Sequence, residues 1–299
     1  MKRLLLALLV FLSPLPLLAW GEKGHYIVNE AATMSLPTDM PSFFYQSFPQ
    51  LVWTAYDPDR WKGAGESIDA ANSPDHFMDY EFVEGLDLKP DRYRFIALLG
   101  SSQTLRRHGL YNSTIGFLPW RIAELSDRLT GEFRQWRVST PGSSERRFLE
   151  ADIVRDAGVL GHFAGDASNP HHATFHFNGW VLPNPEHYAT DCNTHDRFER
   201  FFISHAVSTS DVVPRVTKTA TLRTDYFGAA MAMVRESNAL VEPLYKIDRD
   251  GGFDLFKPVS PAGFDFATSR LAAGAGLLRD LWWSAWKNSE KPPKKAASE

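Results

Sequence analysis

The run from Glu145 to Ala167 reads ERRFLEADIVRDAGVLGHFAGDA and stops against Asn169-Pro170. Its apolar residues recur three and four apart, the period of one face of a helix. Proline has no N–H to give and disfavours helical backbone at the residue before it, so the helix ends there. This long helix delivers two polar side chains to its last turns. His162 and Asp166 are four apart and share one face.

The stretch from His162 to Glu199 carries six of the ten histidines. His172 lies just past the helix stop. His195 and Glu199 are again four apart and open a second helical run, RFERFFISHAV. A single buried histidine is ordinarily a satisfied core residue, and a histidine–carboxylate pair can be a surface ion pair. Two such pairs with a further histidine at a turn offer nitrogen and carboxylate oxygen together. That donor set suits a borderline metal such as zinc.

The pattern H-F-x-G-D-x-x-x-P-x-H, at His162, Asp166 and His172, resembles the ligand helix of the trinuclear zinc phosphodiesterases. That superfamily joins the secreted single-strand-specific nucleases (also 3′-nucleotidases) with the bacterial zinc-dependent phospholipases C. W-G-x-x-G-H at Trp20 to His25 and H-F-M-D at His76 to Asp79 resemble it as well, so the likeness runs along nearly the whole chain after residue 19.

The resemblance implies three zinc ions. Asp59, His76, His162 and Asp166 would hold one. The amine and carbonyl of Trp20, with His25 and Asp166 as a bridge, would hold the second. His172, His195 and Glu199 would hold the third. Asp57 competes with Asp59 for the upstream aspartate position; Asp59 has the better spacing to the histidine, Asp57 the better preceding context. Asp59 and Asp166 would then be catalytic through the metals, and Arg60 would clamp a phosphate oxygen. Phe77 would stack on a base and Asp79 hydrogen-bond to it, although Phe77 reads equally well as core. Two nearby zinc ions would acidify a shared water for in-line attack on phosphorus.

The substrate implied is single-stranded nucleic acid or nucleotides, or alternatively a phospholipid head group, with no protein partner and a monomeric chain. The chain departs from the nuclease branch where Glu199 replaces the usual aspartate and where disulfides are missing. A non-catalytic zinc-binding exported protein would also keep the ligands.

Residues 1–19 read as an export leader: Lys2-Arg3, an apolar run from Leu4 to Leu12, and Leu17-Leu18-Ala19 before the cut. Pro14 and Pro16 break the run, which is shorter than a membrane span. Cleavage would make the protein periplasmic or secreted and leave Trp20 first. It would also move the formal net charge from −4 to −6, with 30 basic residues against 36 acidic. That balance argues against a long basic groove for duplex nucleic acid. Cys192 is the sole cysteine, so no intrachain disulfide can form, and it reads as a free thiol in a loop.

Periodic runs separated by helix breakers, with no strand-like alternation of length, predict an all-α fold. One multi-helix domain is expected over residues 20–290, of the phospholipase C and single-strand nuclease type, with a disordered tail at 291–299. Further helices are expected within 91–137 and near 198–208, 225–247 and 264–288. His171, His176 and His187 miss the family spacing and are expected not to be ligands. His108 has no partner nearby in sequence and is expected to be structural or exposed. The loop from Thr174 to Asn193 is expected to wall a cleft.

Overall fold

The computed structural model describes residues 20–101, 112–181 and 183–292. The expectations for the leader, for His108 and for tail residues 293–299 lie outside the described residues. No strand occurs among the described residues, and the protein is an all-α domain with one continuous hydrophobic core. Its principal helices are α1 (Gly21–Met34), α2 (Phe48–Thr54), α3 (Leu118–Val138), α4 (Ser144–Ser168), α5 (Tyr226–Asn238), α6 (Val241–Arg249) and α7 (Pro261–Asn288). None of the described helices is long and apolar enough to cross a membrane.

The long helix anticipated from sequence is α4, and it is the centre of the fold. It packs against α1, α2, α3, α5 and α7. The Ser143 hydroxyl caps its start by accepting from the Arg146 amide at 3.1 Å. From Asp156 to Ser168 every residue is buried, so its second half is apolar or small nearly all round. At its far end Arg270 of α7 donates from Nε to the Ser168 carbonyl at 2.9 Å, satisfying one of the open helix-end carbonyls.

Close approach of α1 and α2 to α4 depends on missing side chains. A β-carbon added at Gly161 would lie 1.9 Å from Asn29 Oδ1, and one at Gly158 would lie 1.8 Å from Thr54 Oγ1. Asn29 fills the seam, donating from Nδ2 to the carbonyls of Leu51 at 2.7 Å and Gly158 at 3.1 Å. This contact sets the His25 ring of α1 on the His162 ring of α4, with centroids 3.8 Å apart.

Two helical expectations change in detail. The run 225–247 is broken between α5 and α6. Pro243 has no N–H and is tolerated only in a first turn, so a new helix begins at Val241. The run near 198–208 opens as a π-helical stretch, Asp196–Phe202, before a short α-helical turn at Ile203–Ala206. The wider turn is a local departure from the 3.6-residue period that sequence spacing does not announce.

Candidate metal centre

Five short segments converge on the last two turns of α4. Asp59 comes from the turn Asp57–Arg60, His76 from the turn Ser73–His76, and His25 from α1. His172 sits in the turn Pro170–Ala173 that follows the Asn169-Pro170 stop, and His195 and Glu199 open the π-helical stretch. Asn169 ties two of these together. Its Oδ1 accepts from the His171 amide at 3.1 Å, and its Nδ2 donates to Glu199 Oε2 at 2.8 Å.

Three buried groups of side chains result: Asp59, His76 and His162; His25, His162 and Asp166; and His172, His195 and Glu199. Within each group the candidate ligand atoms lie within 4.8 Å of one another. In the first, His76 Nε2 is 3.6 Å and His162 Nε2 3.9 Å from Asp59 Oδ1. In the third, His195 Nε2 is 2.8 Å and His172 Nε2 3.5 Å from Glu199 Oε2. Asp166 faces two ways: Oδ1 is 3.6 Å from His25 Nε2, and Oδ2 is 3.3 Å from His162 Nε2. His162 has one inward nitrogen facing both of the first two groups, whereas Asp166 has two oxygens. A bridge between two cations is therefore a task for Asp166.

The histidine tautomers fit a metal. Nδ1 of His76, His162 and His172 meets the carbonyls of Asn72 at 2.8 Å, Ala55 at 2.9 Å and His76 at 2.6 Å. A carbonyl only accepts, so Nδ1 carries the proton and Nε2 presents its lone pair inward. What those lone pairs meet is mostly more acceptors. His76 Nε2, His162 Nε2, Asp59 Oδ2, both oxygens of Asp166 and Glu199 Oε1 are buried without a hydrogen-bond partner. Orphaned buried acceptors are costly, and cations placed among them would satisfy the whole set at once. Burial pushes the Asp166 carboxyl well above its ordinary range and Glu199 up to about 8, and holds His195 down to about 4. The histidines are thus neutral and available as ligands, while the carboxylates lack the compensating charge that a divalent ion would bring.

Trp20 is fully buried at the start of α1. Its indole Nε1 donates to the Gly165 carbonyl at 2.6 Å, and its ring lies 5.4 Å from that of Phe198. A β-carbon on the following Gly21 would be 3.7 Å from the Glu199 carbonyl. The start of α1 is thereby wedged between the residue before Asp166 and the π-helical stretch.

Asp57 and Asp59 differ in their surroundings. Asp57 Oδ1 is taken by Arg60 Nη1 at 2.8 Å, whereas Asp59 is buried among the histidines. Arg60, expected to clamp a phosphate oxygen, is not among the residues lining the cleft; its guanidinium also donates to the Trp53 carbonyl and the Tyr26 hydroxyl and stacks 3.8 Å from the Trp53 ring. The cation at the site is Lys62, whose Nζ is 2.5 Å from Asp59 Oδ1. Its signal in the sequence was the spacing Asp59-x-x-Lys62, overshadowed by the arginine directly after the aspartate.

His76 of the first group and His172 and His195 of the third line a cleft of about 810 Å³, walled also by Lys62, Phe77 and Asp79, with Phe175 and Phe177 from the loop expected to line it. Phe77 is half-buried in that wall rather than in the core. Its segment is pinned by the Met78 amide to the His172 carbonyl at 2.9 Å and the Asp79 amide to the Ile115 carbonyl at 2.8 Å. Gly116, with φ of +90°, passes so close that a β-carbon there would meet the Phe77 carbonyl oxygen at 2.0 Å.

His171 also lines the cleft, outside all three groups, with both ring nitrogens buried and unpartnered. His176 stacks 4.0 Å from Trp180 and accepts at Nδ1 from the Val181 amide, a structural role. His187 belongs to a separate surface groove, and Cys192 is an exposed free thiol.

Asp79 carries a testable consequence of burial. Burial first, and then the nearby Glu81, raise its carboxyl from 3.8 to about 8. The folded state therefore holds a proton that the unfolded state has released above pH 3.8. The stabilisation associated with it is complete below that value and is lost as pH rises through about 8. Asp79→Asn cannot ionise. Its melting temperature relative to wild type should rise by about 5 °C between pH 5 and pH 9. A difference that stays constant across this range would show that Asp79 titrates as an ordinary aspartate.

No family model matches the chain, and no curated protein matches it in sequence. Two solved structures share its general course. An alpha toxin from Clostridium absonum has 12% identity and a TM-score of 0.47, covering 91% of this chain and 67% of that one. The alpha-toxin of an avian strain of Clostridium perfringens has 14% identity and a TM-score of 0.44, covering 90% of this chain and 65% of that one. The chain spans about two thirds of the length of either toxin.

Proposed function

We propose that this protein is an exported, zinc-dependent hydrolase of phosphate esters. The observation that carries it is the set of three buried histidine–carboxylate groups, two of them sharing His162 and a third reaching Asp166 through His172, with His76, His172 and His195 lining one cleft. Divalent cations bound there would supply Lewis-acid charge and an acidified water. The chain's own residues do the rest. Asp59, His76, His162, Asp166 and His25 hold one end of the centre, and His172, His195 and Glu199 hold the other. The carbonyls on Nδ1 fix the rings, and Lys62 adds a positive charge at the cleft wall where a phosphate oxygen would lie.

The finer reading is a nuclease or 3′-nucleotidase acting on single-stranded nucleic acid or nucleotides. Support comes from a half-buried Phe77 held by backbone hydrogen bonds beside Asp79, whose raised pKa leaves a protonated carboxyl able to donate to a base at neutral pH. A phospholipid head group is the second reading. Phe77, Phe175 and Phe177, with the carboxyl of Asp69, also form an aromatic wall that suits a cationic head group.

Turnover of single-stranded DNA, a 3′-nucleotide and phosphatidylcholine by one zinc-loaded preparation separates the two. The nucleotide reading expects the first two to be cleaved. It also expects Phe77→Ala to raise KM for nucleotides by roughly ten-fold, the worth of one base–aromatic stack, with a base-free diester nearly unaffected. Cleavage of the lipid alone would replace this reading with the second, and cleavage of none would remove both.

A further inference from the structure

Lys62 stands out once the centre is regarded as a charge problem. Asp59, Asp166 and Glu199 are buried together with neutral histidines. Among the described residues, Lys62 is the lysine or arginine that forms an ion pair with one of these carboxylates, its Nζ 2.5 Å from Asp59 Oδ1. Its side chain is largely buried and lines the same cleft as His76, His172 and His195. Three buried carboxyl groups and an ammonium thus meet where the proposed function also requires divalent cations.

We propose that Lys62 is a resident counter-ion of the Asp59–His76–His162 group, stabilising the ion-free centre and competing with the metal that replaces it. This rests on the metal-centre reading and adds to it an order of loading. An ammonium touching Asp59 neutralises that carboxylate when no ion is bound. Once an ion is bound, the same ammonium is a like charge a few ångströms away. Repulsion between a unit and a divalent charge at that range amounts to roughly ten-fold or more in affinity even at water-like screening. The Asp59 group should therefore fill last and empty first. The His172–His195–Glu199 group has no such contact and should hold its ion longest.

The two halves of the proposal have opposite signs, which a merely structural lysine would not produce. Lys62→Met keeps the straight apolar stem and removes the charge; Lys62→Arg keeps the charge. Intact-protein mass spectrometry under non-denaturing conditions, during stepwise withdrawal of zinc by a chelator, counts the ions that remain. Wild type and Lys62→Arg should lose one ion at roughly ten-fold lower chelator than the next. In Lys62→Met that gap should close. Stripped of metal, Lys62→Met should melt below stripped wild type, because Asp59 is then buried without its counter-ion; fully loaded, it should melt no lower than loaded wild type. An unchanged order of release in Lys62→Met, or a lower melting temperature in both states, would overturn the role of Lys62 while leaving the centre intact. Failure of every form to bind zinc would overturn the centre itself, and the proposal with it.

Discussion

Asp166→Asn is expected to lose more than one metal ion and to lower phosphoester hydrolysis by roughly a thousand-fold, the scale of losing a central electrostatic contact in a water-excluded site. Its two carboxylate oxygens point at different partners, Oδ1 at His25 and Oδ2 at His162, at 3.6 and 3.3 Å. An amide offers one weaker oxygen and one N–H pair, so it cannot present an acceptor in both directions. The negative charge that offsets two nearby cations goes with it. The substitution nearly preserves volume, and the side chain is fully buried between α1 and α4, so the helices need not move. Elemental analysis of the purified variant should show about one ion or fewer where wild type shows about three, with the helical content by circular dichroism unchanged. A variant that keeps its full metal complement would show that Asp166 serves one ion at most, and the Asp59–His76–His162 and His25–His162–Asp166 groups would then have to be assigned without a bridge.

A chain that begins at Trp20 is expected to be active, and the same chain with one alanine placed before Trp20 nearly inactive and about one zinc poorer. The α-amino group has a pKa of about 7.7–8.0, so yielding its proton to a metal near neutral pH is cheap. Joined to a preceding residue, the same nitrogen is an amide and not basic. The indole is seated whether or not the nitrogen is free, since Nε1 holds the Gly165 carbonyl and the ring packs on Phe198. Those contacts seat the Trp20 side chain against Gly165, the residue before Asp166, and a freed amine at Trp20 would supply the ligand that the family resemblance implies. The extra alanine alters neither charge nor any side-chain ligand, so full activity and full zinc in the extended chain would make Trp20 a buried indole and nothing more.

The sequence by itself determined the helical character of the chain, the long helix α4 and its stop. Those follow from local rules: a 3.6-residue period, a serine cap and a proline that cannot continue a helix. It also placed His162 over Asp166, and His195 over Glu199, because four residues are about one turn whatever surrounds them. What it could not decide were matters of approach between segments distant in the chain. Asp59 and Asp57 differ only once the fold buries Asp59 beside His76 and His162 and leaves Asp57 against Arg60, and it is likewise the fold that puts Lys62, not Arg60, on the cleft wall. The contact of His25 with His162 depends on Gly161 admitting Asn29, and the place of Phe77 in the cleft wall depends on Gly116 passing against its carbonyl. The burial that orphans the carboxylates of the centre, and with it the need for cations, arises only when α1, α4 and the π-helical stretch close around one point. Local chain physics set the candidate ligands in pairs; long-range packing alone decided which pairs share a centre.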